Sequence, residues 1–135
     1  MPGEKSLEKL LRFMNPSLGE NEFIFCSLSG SDLSEYSYLS PEAAVLEEEG
    51  ISLVISKNKA DKHNLKYDTV FKKITLNVHS GLDAVGLTAI VSAKLYEENI
   101  PANMTAGFYH DHIFVPVQKA EDAMEALSKI KSEDL

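Results

Sequence analysis

A short polar segment, His79-Ser80-Gly81-Leu82, carries the residue types best suited to holding a small ligand. Ser80 can donate or accept a hydrogen bond, and Gly81 lets a ligand approach the backbone. Asp83 follows Ser80 by three residues, which is the spacing of a helix capping box. The pattern predicts a helix that begins at Ser80, and its free amides would favour an anionic group such as a carboxylate. Helix capping alone would also explain both side chains.

A second candidate is His110-Asp111-His112, which we predict to form a turn between two strands. Two histidines beside an aspartate suggest a metal site, but a turn at His110 would point the rings in different directions. No cysteine or acidic partner follows at a suitable spacing, so we predict neither a metal nor a cofactor. Asp111 is expected to stabilise the turn through its side chain. Alternatively, His110 and Asp111 close a pocket at the end of the sheet.

Polar residues also lie along the predicted strands around these two segments. Apolar and polar residues alternate between positions 74 and 79, which predicts a strand with one buried and one polar face. On the next strand, Asn103 and Thr105 are in place to add hydrogen bonds to a ligand. The chain has no phosphate loop, nucleophile elbow or pair of carboxylates in an apolar setting. No catalytic residue is predicted, although the sequence does not decide against an enzyme.

The elements that position these residues follow the order strand, helix, strand, strand, helix from Val70 onward. Asn99 is expected to take a left-handed conformation that ends the first helix, with Pro101 preventing its continuation. The two strands are predicted at 104–109 and 112–117, and a last helix follows. The inward stripe of the first helix is predicted to contain Leu82, Val85, Gly86, Ala89, Ile90, Ala93 and Tyr96.

The first half of the chain supplies fewer elements with clear patterns. We predict a helix at 6–14 and strands at 22–28 and 51–56, while 42–49 is ambiguous. The second half has the ferredoxin-like order without its last strand, and we expect the first half to donate it. The predicted fold is therefore α+β, with ferredoxin-like antiparallel sheets, helices on one face and two interlocked halves. These halves are expected at residues 1–66 and 67–135.

Composition narrows the class of protein. The 135 residues carry a net charge of −8, and without a basic patch we expect no nucleic-acid partner. No apolar run reaches membrane-spanning length, so no membrane partner is expected either. The single cysteine, Cys26, has apolar neighbours that favour an inert buried thiol. With no signal-peptide core at the N-terminus, we expect a cytoplasmic protein.

Two segments of the second half, VHSGLDAVGLTA (78–89) and AGFYHDHIFVP (106–116), resemble a family of small bacterial ACT-like proteins built from tandem units. Residues 22–26 and 48–54 are similar to the same family, so the likeness covers nearly the whole chain. The ACT units of cytosolic arginine sensors look like distant relatives. The resemblance implies an ACT-like fold in each half. It also implies a ligand at the strand-to-helix turn, often at an interface between units.

The function predicted from these observations is the binding of a small molecule, such as an amino acid, by a regulatory protein. The ligand is expected to contact His79, Ser80, Gly81, Leu82, Asn103, Thr105, His110 and Asp111. One alternative is a small enzyme that uses His79 or His110 as a general base. Another is an interaction module that forms a homodimer without any ligand, and a homodimer is compatible with the ligand-binding prediction too.

Overall fold

The computed structural model describes Gly3 and residues 5–130, which form two compact units. The discontinuous unit contains residues up to Glu20 and from Lys72 onward, and the continuous unit is Asn21–Phe71. Strand β1 (Pro16–Leu28) passes from the first unit into the second. The predicted halves, 1–66 and 67–135, divide the chain by sequence order and stay a prediction.

In its described residues, the discontinuous unit contains three α-helices. Most of its sheet lies after residue 70. Its strand order is β1-β4-β6-β5. The start of β1 therefore supplies the strand that the predicted order lacked, which confirms that the N-terminal half donates it. The elements are α1 (Leu7–Arg12), β4 (Phe71–Leu76), α3 (Leu87–Glu97), β5 (Asn103–Ala106), β6 (Asp111–Pro116), a 3-10 turn (Val117–Lys119) and α4 (Ala120–Ser128).

All three helices of this unit pack on one face of its sheet. Ile74 and Leu76 of β4 alternate with Thr75, and Ile113 of β6 alternates with His112. The apolar residues of this alternation join one core with the helices, because successive side chains of a strand point to opposite faces. Helix residues in that core include Leu10, Leu11, Leu87, Val91, Leu95, Ala123 and Leu127. The predicted α+β, ferredoxin-like arrangement is confirmed.

The continuous unit has the strand order β2-β3-β1, with both pairs antiparallel. Its core packs Ile24 of β1 and Leu53 of β3 against Leu39 and Ala60. These last two residues belong to a 3-10 segment (Leu33–Leu39) and to α2 (Lys57–Lys62). The remaining elements are β2 (Ala43–Glu47), the segment that the sequence left ambiguous, and β3 (Gly50–Ser56).

The prediction that a helix begins at Ser80 is wrong. Helix α3 begins at Leu87, after Gly86 with φ of 104°, and no side chain caps it. Glycine suits this junction because residues with a Cβ rarely adopt such a φ. The predicted inward stripe is wrong as well, because the buried face of α3 is formed by Leu87, Val91 and Leu95. The exposed members of the predicted stripe are Leu82, Val85, Ala89, Ala93 and Tyr96.

The end of α3 agrees with the sequence pattern. Asn99 has a left-handed φ of 59°, and the Ile100 N–H donates to the Leu95 carbonyl oxygen at 2.9 Å. Ile100 is buried against the core, as a hydrophobic residue beyond a helix end often is. Across the described part of the chain, no helix is both long and apolar enough to cross a bilayer.

Candidate functional site

The loop between β4 and α3 contains the predicted ligand turn. The Ala84 N–H donates to the Gly81 carbonyl oxygen at 2.9 Å, which makes residues 81–84 a turn rather than the start of a helix. The side chains that suggested a capping box bind elsewhere. Ser80 contacts Asp111, and Asp83 pairs with Lys5. Ser80 thus connects the loop to β6, and Asp83 connects it to the N-terminal segment.

Ser80 is the polar centre of this loop. Its side chain is only 8% exposed, and its hydroxyl donates to Asp111 Oδ2 at 3.2 Å. Since a buried hydroxyl without a partner is costly, this bond fixes the position of the loop beside β6. Asp111 is the first residue of β6 and lies opposite Ala106 in register. It is an acceptor here.

The turn between β5 and β6 therefore differs from the predicted one. It spans residues 107–110 and is closed by the Gly107 N–H, which donates to the His110 carbonyl oxygen at 2.8 Å. A side chain at Gly107 would have its Cβ 2.8 Å from that same oxygen. Asp111 lies outside the turn, so the expectation that it stabilises the turn is wrong.

A small cavity of about 140 Å³ lies on one side of the loop. Asp111 is its charged residue, and Ser80 and Thr88 contribute hydroxyls. This set suits a group that donates hydrogen bonds or carries positive charge. The complete lining is Ser80, Gly81, Leu82, Ala84, Gly86, Leu87, Thr88, Ala106 and Asp111.

A larger cavity of about 290 Å³ shares Ser80, Gly81 and Leu82 with the small one. Its remaining lining residues are Gly3, Lys5, His79, Asp83 and Phe108. Lys5 Nζ lies 2.7 Å from Asp83 Oδ2, and this hydrogen bond holds the pKa of Asp83 below its usual value. Both side chains are largely exposed, so the pair contributes little to stability.

Two aromatic rings, His79 and Phe108, line the larger cavity, and the Tyr109 ring packs against both. The His79 ring centroid lies 6.2 Å from that of Phe108 and 5.3 Å from that of Tyr109. Phe108 and Tyr109 meet edge to face at 5.1 Å. Phe108 is nevertheless 61% exposed, so much of its ring surface is available to a ligand.

The other two histidines of the segment make separate contacts. His110 Nδ1 lies 3.4 Å from the Val78 carbonyl oxygen, and His112 Nδ1 lies 2.9 Å from Thr75 Oγ1. Among the described residues, no three histidine, cysteine, aspartate or glutamate side chains are grouped to hold a metal ion. Partial burial raises the pKa of the Cys26 thiol, which disfavours the reactive thiolate.

The structure brings together five of the eight predicted ligand residues: His79, Ser80, Gly81, Leu82 and Asp111 line one or both cavities. His110 lines neither cavity. Asn103 and Thr105 lie on β5 opposite Phe114 and His112, and they line neither cavity either. Ligand contact by any of these residues stays a prediction.

Several lining residues were not among the predicted ligand contacts, and Thr88, Phe108 and Lys5 show why. Thr88 follows from the true start of α3, which the glycine at position 86 could have indicated. Phe108 is an exposed aromatic residue beside a glycine turn, and that combination is a usable signal. Lys5 has no local signal, because it reaches the site from far away in the sequence.

A third cavity, of about 330 Å³, lies at the end of α3. Its lining is Ser92, Tyr96, Asn99, Ile100, Pro101 and Ala102, none of which is charged. A small polar metabolite would find no ionic partner among these side chains.

Comparison with known proteins gives consistent results. Two family models, each described as an ACT domain, match residues 2–72 and 68–129. A Vibrio cholerae protein of unknown function, described as a possible transport protein, is 47% identical. The alignment covers 93% of this chain and 95% of that one, with a TM-score of 0.83. No match was found among functionally curated proteins.

More distant structures share the fold alone. A protein from Agrobacterium tumefaciens is 14% identical, with a TM-score of 0.65 over 84% of this chain and 85% of that one. The ligand-free regulatory subunit of aspartate kinase from Thermus thermophilus is 8% identical, with a TM-score of 0.63. That alignment covers 84% of this chain and 94% of the subunit.

Proposed function

This chain belongs to the ACT domain family, with two ACT domains in tandem, and we propose that it binds an amino acid at the loop of residues 79–82. ACT domains typically bind small molecules such as amino acids in regulation. The proposed role is therefore that of a regulatory binding protein, in which ligand occupancy changes the behaviour of another protein or domain.

One observation carries the proposal: the linings of the two cavities share Ser80, Gly81 and Leu82. The smaller cavity also has the Asp111 carboxylate, and the larger has the Lys5 ammonium group with its partner Asp83. Asp111 would pair with the amino group of a zwitterion, and Lys5 with its carboxylate. Charge-assisted hydrogen bonds of this kind are stronger than neutral ones. Because Asp111 is acidic, the small cavity is less suitable than the larger one for the ligand carboxylate. This revises the prediction that free amides at the start of a helix would bind that carboxylate.

Calorimetric titration of the full chain with each standard amino acid tests the proposal. At least one should bind, and Asp111→Asn should weaken that binding by about tenfold or more, as expected for the loss of a hydrogen-bonded charge. Asp68→Asn removes the same charge from the continuous unit and should leave the affinity unchanged. Lys5→Gln should also weaken binding, with Lys9→Gln as its control on the same N-terminal segment.

Absence of binding by every amino acid would count against the proposed function. Equal affinities for Asp111→Asn and the unmodified chain would instead show that the ligand binds elsewhere.

We also propose a homodimer in the cytoplasm. Exposed apolar side chains near the site support the dimer, because large apolar residues in neighbouring loops often mark an interaction surface. They are Leu82, Val85, Phe108 and Tyr109. The lone cysteine fits a reducing compartment. Sedimentation of the full chain at several concentrations should detect the dimer, and a monomer at all of them would contradict it.

A further inference from the structure

The larger cavity has a charged end and an apolar end. Lys5 and Asp83 contribute the charges, while His79, Leu82 and Phe108 contribute rings and aliphatic surface. Leu82 is 68% exposed and Phe108 is 61% exposed, so much of this apolar surface faces solvent. An apolar group bound against these side chains would remove both its own surface and theirs from water.

The charged end matches the main-chain groups of an amino acid. An ammonium group has three donors, and Asp83 occupies one of those on Lys5 at 2.7 Å. Within residues 5–130 the others have no partner, so they can bind a ligand carboxylate. Asp111, across Ser80, can take the ligand's amino group.

The apolar end then determines which amino acid fits. Asp83 is the acidic residue in the lining of the larger cavity, and it is already paired with Lys5. A ligand with a basic side chain would therefore find no free carboxylate there. An acidic side chain would lie against Phe108 and Leu82, which offer no hydrogen-bond donor, and among the rings only the His79 imidazole could donate to it. Burying a charge without a partner is costly, whereas an apolar side chain gains free energy on burial.

Size agrees with a ligand of this class. The cavity of about 290 Å³ is near the lower end for small-molecule sites, roughly 300–1,000 Å³. It suits a single amino acid with a bulky side chain rather than a nucleotide or a peptide.

We infer that the ligand is a zwitterionic amino acid with a large apolar or aromatic side chain, which packs against Phe108, His79 and Leu82. This inference rests on the proposed function and specifies the ligand class for that site. Edge-to-face or offset contact with the Phe108 ring would favour an aromatic ligand further.

The test compares phenylalanine and leucine with alanine, aspartate, lysine and arginine by calorimetry on the full chain. Phenylalanine and leucine should bind about tenfold or more tightly than alanine, because their side chains would bury several more apolar carbon atoms than the methyl group of alanine. Phe108→Ala should reduce the affinity for phenylalanine at least about fivefold, with a much smaller effect on alanine. Phe108→Tyr should restore most of that affinity.

The control is Phe13→Ala, which removes another exposed phenylalanine from the same unit and should leave the affinities for phenylalanine and alanine unchanged. Aspartate, lysine or arginine binding as tightly as phenylalanine would overturn this inference and leave the proposed function standing. Arginine is the sharpest competitor, since its guanidinium group also stacks on rings. Absence of binding by all six would overturn the inference, and the proposed function would fail as well only if none of the other standard amino acids bound.

Discussion

Ser80 links the two halves of the candidate site. Its hydroxyl is buried and bonded to Asp111, and its backbone lies between the two cavities. The Ser80-Gly81 peptide also lies close to Gly3, where an added Cβ would meet the Ser80 carbonyl carbon at 2.5 Å. Small residues at these positions therefore have a packing reason, whether or not a ligand binds.

Ser80→Ala should lower the free energy of unfolding by about 1 kcal/mol, because one hydrogen bond to a partly buried carboxylate is lost. Urea denaturation measures this change. Ser92→Ala is the matched control, since the Ser92 hydroxyl donates only to its own helix at Ala89 and is exposed. That variant should show no loss, as alanine is the better helix former. Equal losses would contradict the role given to the Ser80–Asp111 bond.

Most of the wrong predictions for single residues relied on local sequence patterns that have more than one structural explanation. Ser80 and Asp83 have capping-box spacing, yet they bind Asp111 and Lys5, whose distances along the chain no short window reveals. Tertiary partners therefore decided the local conformation. Phe108 was visible as an aromatic residue beside a glycine, but its exposure became known only from the structure.

At the scale of elements, α3 contrasts a well-predicted end with a poorly predicted start. Its end depends on residues adjacent in sequence, Asn99, Ile100 and Pro101, so the pattern alone was sufficient. Its start depends on Gly86, whose Cβ would meet Leu7 Cδ2 at 2.9 Å. That contact links α3 to α1 and could not be read from a helical period.

Asn99→Val should destabilise the protein by about 1–2 kcal/mol, because a β-branched residue is strained at the left-handed φ of 59°. Asn99→Gly should be close to neutral, since glycine adopts this conformation freely. Lys119 Nζ bonds the Asn99 backbone oxygen at 3.0 Å, and both variants keep that acceptor. Thermal unfolding compares the two, and similar melting temperatures would contradict the cap assignment.

At the scale of the whole molecule, the ferredoxin-like order and the donated strand followed from counting strands, because a sheet edge left unpaired is unfavourable. The division into units did not follow from counting. Residues before Asn21 pack with those from Lys72 onward, so β1 belongs in part to each unit. Such a division arises from contacts distant in sequence and leaves no composition change at the boundary.

Acid should destabilise the protein in a defined direction. Lys57, then Tyr67, bond Asp61 and lower its pKa, and Lys5 lowers that of Asp83. A carboxyl group whose pKa is lowered by folding stabilises the folded state at pH values above its pKa in the unfolded chain, about 4. This contribution is lost as the pH falls through the pKa of the folded state. The urea concentration at the unfolding midpoint should therefore decrease as the pH is lowered below about 4.

Asp61→Asn should reduce that acid dependence, because it removes one of these carboxyl groups. Because Asp61 is exposed, the change will be modest. A midpoint that rises as pH falls below about 4 would contradict the direction given for these carboxyl groups.

The central claim is that an amino acid binds at the loop of residues 79–82, and amide NMR on the full chain tests it directly. Titration with phenylalanine should move signals from residues 79–88 and 106–111, the two segments that contain most of the residues lining the two cavities. Signals in the continuous unit and in the uncharged cavity at the end of α3 should stay in place. Unchanged spectra with every amino acid, or changes concentrated at residues 92–102, would contradict the claim.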